Sequence, residues 1–236
     1  MPAAPRCKDW RAGAVPLLSV LLLAALAIVW IGQYTDLDLQ LADAVYDAGQ
    51  GVFPWRHAWL TERFNHVLLR RALVALGIGM VALALLDWWR PGRYGALRRR
   101  QIRVVACSAV LIPASIALLK QFSGSHCPWD LARYGGVAPY VRLLERMPDG
   151  LAPGGCMPAG HASGALWMVS LAVFLLPARP RSAAAAGMLL LAFGCATGWL
   201  QQLRGAHFLT HTLWSAWIAC AVLVVLLGWF DLRRPD

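Results

Sequence analysis

Three side chains suited to phosphate chemistry lie in the segment RGAHFLTH. Arg204, His207 and His211 are three and four residues apart, so a helical main chain would place them on one face. An imidazole can act as a nucleophile or as an acid and base near neutral pH, because its ordinary pKa is about 6.5. A guanidinium binds phosphate oxygens in pairs. The segment therefore indicates a site for an anion such as phosphate.

Two earlier segments carry residues of the same kind. Lys120 begins KQFSGSHCPWD, and His161 lies in CMPAGHASG. Gly160 comes just before an apolar run, so its main-chain N–H and the positive end of a helix dipole are available to an anion. Cations, histidines and such a helix start together provide the cradle, the nucleophile and the acid that phosphoryl transfer needs.

The elements that must position these residues are apolar. The chain is 59% hydrophobic and 14% charged, with a mean hydropathy of +0.54. Its apolar runs are long enough to span hydrocarbon, which takes roughly 20 residues, and the first run is too long for a signal peptide. We therefore expect an all-α, polytopic membrane protein that forms a single domain over residues 1–236. Six transmembrane helices are predicted near 12–33, 68–89, 104–120, 161–178, 183–203 and 210–230.

The basic residues are distributed unevenly among the loops. More than half of the 22 Lys and Arg lie near the two termini, in the 90–103 loop with its six arginines, and at 179–181. The positive-inside rule places these segments, and both termini, in the cytoplasm. Lys120, His161 and the 204–211 segment then share the outer face. Because this orientation explains the net charge of +10, we expect no nucleic-acid partner.

The outer segments contain fewer signals. Residues 34–71 are expected to hold a short interfacial helix and a loop. Residues 120–161 contain Cys127 and Cys156, which either form a disulfide on the oxidising side of the membrane or are two unrelated small residues. No C-x-x-C or similar ligand spacing accompanies them, so we expect neither a metal nor another cofactor.

The order of the three motifs resembles the type 2 phosphatidic acid phosphatase superfamily, which also includes vanadium haloperoxidases and bacterial acid phosphatases. The pattern of that family is K-x6-R-P, then P-S-G-H, then S-R-x5-H-x3-D. Here Lys120 is followed by PAGH at 158–161 and by GAHFLTH at 205–211. The resemblance extends over these motifs and over all six spans in topology, so it implies the helical bundle of the family.

The resemblance also implies roles for individual residues. His207 would attack phosphorus and form a phosphohistidine, and His161 would protonate the leaving oxygen and later activate water. Lys120, Arg204 and the main chain of Gly160 would hold the phosphate oxygens. This mechanism requires no metal.

The chain departs from the family pattern at four positions. Cys127 replaces the arginine of the first motif, and Ala159 replaces the serine of the second. Gln201 lies where the third motif has its arginine, and the nearest arginine comes three residues later. His211 lies where the family has the aspartate that orients the nucleophile. A neutral imidazole at this position could accept the Nδ1–H of His207 instead, which makes His211 a candidate catalytic residue.

Two assignments stay open. In a second register His211 would be the nucleophile, with Ser215 in the aspartate position. His207 is preferred because GAHFLTH matches the G-x-H-[FY]-x-[ST]-D stretch of the family except at its last residue. Asp130 is a candidate for the carboxylate that the third motif lacks, and His126 is a candidate for a further contact with phosphate. The alternative for both is an ordinary loop residue without a role in the site.

The resemblance implies an integral membrane phosphatase that acts on a lipid phosphate or diphosphate at the outer, periplasmic face of a bacterial inner membrane. Candidate substrates are undecaprenyl diphosphate, phosphatidylglycerophosphate, phosphatidic acid and the phosphates of lipid A. A phosphotransferase that passes the phosphoryl group to another lipid is the close alternative. The missing arginine and aspartate motivate a second alternative, a catalytically weakened lipid-phosphate binding protein. The expected partners are the lipid phosphate and the bilayer.

Overall fold

The described part of the chain is helical. The computed structural model describes the main chain of residues 8–232 and the side chains from residue 15 onward. Within these residues there are helices and turns but no β-strand, which confirms the all-α prediction. Arg6, Arg233 and Arg234, which contribute to the predicted orientation, lie outside the described residues.

The helices follow one another with few interruptions. The α-helices of the described chain are α1 (Lys8–Tyr34), α2 (Leu37–Asp43), α3 (Arg70–Trp89), α4 (Ala96–Gln121), α5 (Gly160–Leu166), α6 (Pro180–Gln202) and α7 (Leu209–Phe230). A π-helix, Trp59–Leu69, leads directly into α3, and a 3-10 helix, Trp167–Leu175, continues α5. Two further 3-10 turns, Pro128–Asp130 and Ala132–Tyr134, lie in the loop after α4.

Most of these helices are suited to cross a membrane. Five segments of the described chain are long and apolar enough: Val15–Tyr34, Trp59–Trp89, Ala96–Gln121, Pro180–Gln202 and Leu209–Phe230. The sixth predicted span, at 161–178, corresponds to the shorter apolar segment Gly160–Leu175. Because a 3-10 helix rises further per residue than an α-helix, this segment still reaches roughly 28 Å, close to the hydrocarbon thickness. The multi-pass prediction is confirmed, and the sixth crossing depends on this mixed helix.

The fourth helix extends beyond its predicted span on the side of the arginine-rich loop. It begins at Ala96 rather than near residue 104, because its charged first turns are helical as well. Arg99 in these turns forms an ion pair of 3.0 Å with Asp87 near the end of α3, and Asp87 is buried. This pair joins the two helices at the opposite end of the bundle from Lys120.

The same helix, α4, forms the core of the bundle. Val104, Val105, Ile112 and Ile116 are almost fully buried and pack in one cluster with Trp167 after α5. In contrast, α1 and α3 expose apolar side chains along much of their length, as expected of helices that face lipid. The packing around α4 brings the ends of α4, α5, α6 and α7 together.

A cap of loops covers the end of the bundle that carries Lys120. Asp38 in α2 accepts hydrogen bonds from the main-chain N–H and the hydroxyl of Thr210, at the start of α7. Phe53, Tyr134 and Phe208 form an apolar cluster within these loops. Because Phe208 belongs to the turn between α6 and α7, the cap fixes the position of that turn.

Candidate active site

Two histidines meet at the capped end of the bundle. His161 is the second residue of α5, and His207 lies in the turn between α6 and α7. Nδ1 of His161 is 3.4 Å from Nε2 of His207, although the two residues are 46 positions apart in sequence. The structure therefore brings into contact the two side chains for which the sequence predicts catalytic roles.

A tight turn presents His207. Its main chain closes through a hydrogen bond from the Gly205 N–H to the Gln202 carbonyl. Gly205 has a φ of +72°, and a Cβ at this position would lie 2.5 Å from the Phe53 ring. Both the left-handed main chain and the close approach of the ring require glycine here.

Gly205→Ala is expected to destabilise the protein by about 2–4 kcal/mol, because the methyl group meets Phe53 and the main chain is strained. Thermal unfolding in detergent should show a melting temperature lowered by several degrees. Gly51→Ala is the matched control, since Gly51 has a φ of +69° and a Cβ there would have only the Tyr46 hydroxyl within 4 Å, at 3.8 Å. An equal loss in both variants would contradict the role given to the Phe53 contact.

The environment of His207 favours its neutral form. The side chain is buried, and this burial lowers its pKa well below the usual range, with smaller effects from His211, His161 and Lys120. A neutral imidazole keeps a lone pair on one ring nitrogen. His207 is therefore available as a nucleophile at neutral pH and for some way below it.

Lys120 supplies a positive charge beside the histidines. It lies in the last turn of α4 and is half-buried. Its ammonium makes no hydrogen bond or ion pair within the described residues, and its charge acts on His207. The ammonium group is thus free to contact an anion.

Arg204, in contrast, is bound by the protein itself. Its Nε donates to the Arg56 carbonyl at 2.9 Å, and a terminal N–H donates to Oε1 of Gln201 at 3.0 Å. Its other terminal nitrogen lies 3.7 Å from Glu62. The guanidinium therefore ties the turn after α6 to the segment around the start of the π-helix. Its contact with phosphate stays a prediction, and only the N–H groups left by these partners could make it.

His211 does not hold His207 as the sequence suggested. Its Nε2 lies 3.0 Å from the hydroxyl of Ser125, and its Nδ1 is buried without a hydrogen-bond partner. The two rings stand edge to face with centroids 5.8 Å apart, so the expected bond from the Nδ1–H of His207 is wrong. In the second register Ser215 would orient His211, but its hydroxyl donates to the main-chain carbonyls of Ala159 and His211.

Asp130 and His126 lie in the loop after α4. Within the described residues, neither side chain makes a hydrogen bond to a histidine of the site. The Asp130 carbonyl accepts from the N–H groups of Val137 and Ala138, and Nδ1 of His126 is buried without a partner. This geometry supports the loop role for both rather than a carboxylate for the nucleophile.

Cys127 and Cys156 are bonded, with sulfur atoms 1.95 Å apart. The bridge joins the loop after α4 to the segment before α5, and Sγ of Cys156 lies 3.4 Å from Nδ1 of His207. The two sulfur atoms and this imidazole are close enough together to hold a metal ion. Bonded sulfur atoms offer no thiolate, however, so the group does not fit a metal in this form.

The sequence interpretation missed two residues near the histidine pair, His66 and Arg70. The ring centroids of His66 and His161 are 4.3 Å apart, and Arg70 lines an apolar cavity together with Gly160. Both residues come from the continuous helix that begins with the π-helical turns Trp59–Leu69. The sequence signal for both residues was the polar stretch RFNHVLLRR at the start of the second apolar run. Polar and charged residues are rare in a span that only faces lipid, so such a stretch indicates a functional site.

A membrane helix bundle whose histidine pair includes the buried His207, with a lysine beside the pair that is unpaired among the described residues, has the groups that phosphoryl transfer requires. A model of the PAP2 superfamily matches residues 102–235. This match covers more than half of the chain, and the chain belongs to the PAP2 superfamily. Its members are generally phosphatases, which supports a phosphatase-type hydrolase activity here. None of the curated proteins or solved structures compared with the chain matches it.

Proposed function

We propose that the protein is an integral membrane phosphatase that hydrolyses a lipid phosphate or diphosphate on the periplasmic side of a bacterial inner membrane. Its membership of the PAP2 superfamily supports the class of reaction. One structural observation supports the choice of a lipid: an apolar cavity that Gly160, the residue before His161, lines at one end continues between the membrane helices.

The cavity has a volume of about 410 Å³ and is lined by residues of α3, α4 and α5. Arg70 and Gly160 line it next to His161, and Val81 lines it farther along α3. An α-helix rises roughly 16 Å between Arg70 and Val81, enough to accommodate a good part of an acyl or prenyl chain. A substrate with a phosphate at one end and a hydrocarbon chain at the other fits this arrangement.

The proposed reaction uses the histidine pair in two steps. Nε2 of His207 attacks phosphorus and the P–O bond to the lipid breaks, while His161 gives a proton to the leaving oxygen. Lys120 and the Gly160 N–H stabilise the negative charge on the other oxygens. His161 then takes a proton from water, which attacks the phosphohistidine, releases phosphate and restores His207.

The distribution of charge supports a periplasmic site. The arginine-rich 90–103 loop lies at the opposite ends of α3 and α4 from Arg70 and Lys120. The positive-inside rule assigns such a loop to the cytoplasm. With six crossings, both termini lie on that side as well. A disulfide beside the histidines fits the oxidising compartment on the other side.

Gly77→Leu is expected to raise KM for a long-chain lipid phosphate about tenfold, because leucine would fill space that the chain occupies. Gly77 is buried in the cavity wall on α3. Hydrolysis of a short-chain, water-soluble phosphate should change by less than about twofold, since such a substrate leaves the cavity empty. Gly79→Leu, on the exposed surface of α3, is the matched control. Equal effects of Gly77→Leu on both substrates would contradict the role of the cavity.

A panel of lipid phosphates tests the proposed function with purified protein in detergent. Release of inorganic phosphate that is lost in both His207→Ala and His161→Ala supports a phosphatase. Transfer of labelled phosphate to a second lipid would indicate a phosphotransferase. The replaced arginine (Cys127) and aspartate (His211) of the family pattern motivate a third candidate, a catalytically weakened lipid-phosphate binding protein. Such a protein would bind the lipids and release phosphate from none.

A further inference from the structure

The Nδ1 side of the His207 ring faces Cys156. Nδ1 is 3.4 Å from Sγ of Cys156. Nε2, on the other side of the ring, faces His161. Within the described residues, no carboxylate makes a hydrogen bond to either nitrogen. Cys156 is therefore the acceptor for a proton on Nδ1.

This contact decides which nitrogen of His207 can attack. An imidazole attacks through Nε2 only when its proton is on Nδ1, and a partner at Nδ1 both selects this tautomer and fixes the ring. The residue four positions after the nucleophile would be an aspartate in the family pattern. Here it is His211, which is bonded to Ser125 instead. The tautomer of His207 thus depends on Cys156.

Two sets of bonds hold Cys156 in place. On the main chain, its N–H donates to the Ser125 carbonyl at 2.9 Å, and the Gly155 N–H donates to the Ser123 carbonyl at 2.9 Å. On the side chain, the disulfide ties it to Cys127. Cys156 is fully buried, whereas Cys127 is partly exposed. A small reductant can therefore reach the bridge from the side of Cys127.

We propose that the Cys127–Cys156 disulfide positions the His207 nucleophile, so that reduction of the bridge lowers turnover. This inference rests on the proposed function of His207. Reduction by dithiothreitol delivers two electrons and two protons to the bridge, which leaves two thiols and one cyclic dithiothreitol disulfide. Cys156 then loses its covalent tether, and the His207 ring gains access to other orientations and to the second tautomer.

Turnover of the full chain in detergent, before and after dithiothreitol, tests the inference. Reduction should lower kcat about 10- to 100-fold and leave KM within about twofold, the pattern of a misplaced reacting group. Cys127→Ala combined with Cys156→Ala should show the same loss without reductant. EDTA is present throughout, because two free thiols and His207 could capture a metal. An unchanged kcat after complete reduction, verified by alkylation and mass measurement, would overturn the inference.

His211→Asp gives a readout that a purely structural bridge would not produce. It places a carboxylate four residues after His207, and in the background without Cys127 and Cys156 it should restore kcat to within about fivefold of wild type. The melting temperature should not rise with it. Cys107→Ala, at a free cysteine of α4, controls for the loss of a thiol. Failure of the rescue would assign the bridge to stability alone.

A measurement without substrate separates this inference from the proposed function. Nitrogen-15 NMR should show His207 of the oxidised protein, assigned by its absence in His207→Ala, as the neutral Nδ1–H tautomer. The reduced protein should show a mixture of tautomers. If the oxidised protein hydrolyses no lipid phosphate, the proposed function fails, and the tautomer measurement still decides the positioning role. A tautomer that reduction does not change would overturn it.

Discussion

His207→Ala should lower the rate of phosphate release by roughly 10⁴-fold or more, the scale expected when the group that forms a covalent intermediate is removed. The alanine variant has no nitrogen to accept the phosphoryl group from the lipid. Rapid quenching with labelled substrate should trap a phosphoenzyme in the wild type and none in the variant. The melting temperatures of the two proteins in detergent show whether the loss is chemical rather than a failure to fold.

His57→Ala is the matched control for this loss. His57 lies in the loop before the π-helix, its side chain is 76% exposed, and it is 3.3 Å from Glu62. The variant should keep nearly all of the wild-type activity. A His207→Ala protein that still forms a phosphoenzyme, alongside a His211→Ala protein that does not, would favour the second register and contradict the assignment of the nucleophile.

The bundle could be predicted from the sequence because hydrocarbon leaves few choices. Main-chain groups that cross a membrane must be paired within the protein, so a long apolar run in this chain predicts a helix. The apolar runs predicted six crossings; five described segments are long and apolar enough to cross, and the sixth run corresponds to the shorter Gly160–Leu175. The predicted bounds of the helices were less accurate than their number. The charged turns at 98–100 continue α4, where apolar content gives no signal.

The sequence predicted that His161 and His207 lie on the same face of the membrane. His161 lies at the start of α5, and His207 lies just after the end of α6. Because the connection between these two crossings is short, both helix ends lie on the same face of the bundle. The polar stretch around His66 is visible in the sequence, but its contact with His161 was not predictable, because His66 comes from a π-helix. The wider turn of such a helix directs side chains differently from the α-helical spacing on which pattern analysis relies.

The partner of His207 on its Nδ1 side also lay beyond the sequence. Cys156 is 51 positions away and comes to the ring through the folding of the outer loop and its disulfide. The family pattern directed attention to His211, which is close in sequence. His211 lies in the first turn of α7, and its ring contacts Ser125. The spacing in the sequence therefore identified His211 as a neighbour of His207, but it did not identify Cys156 as the residue that contacts Nδ1.

Replacement of His161 by alanine should affect substrates according to their leaving groups. Loss of the general acid should slow cleavage of an alkyl or prenyl phosphate about 10²- to 10⁴-fold, because the alkoxide leaves poorly without a proton. An aryl phosphate with an alkyl tail releases a stable phenolate instead. Its cleavage by the variant should slow by less than about tenfold, since this leaving group needs little protonation.

His161 is also the proposed base for the second step, so the aryl substrate should expose a second defect in His161→Ala. We expect a rapid burst of phenolate followed by slow turnover, with an acid-labile and alkali-stable phosphohistidine accumulating on His207. Stopped-flow absorbance and phosphoenzyme quantification measure the two steps, and the burst must disappear when His207→Ala is added. If both esters slow equally and no phosphoenzyme accumulates, His161 binds phosphate rather than transferring a proton. The acid would then be sought in His66, whose ring lies against that of His161.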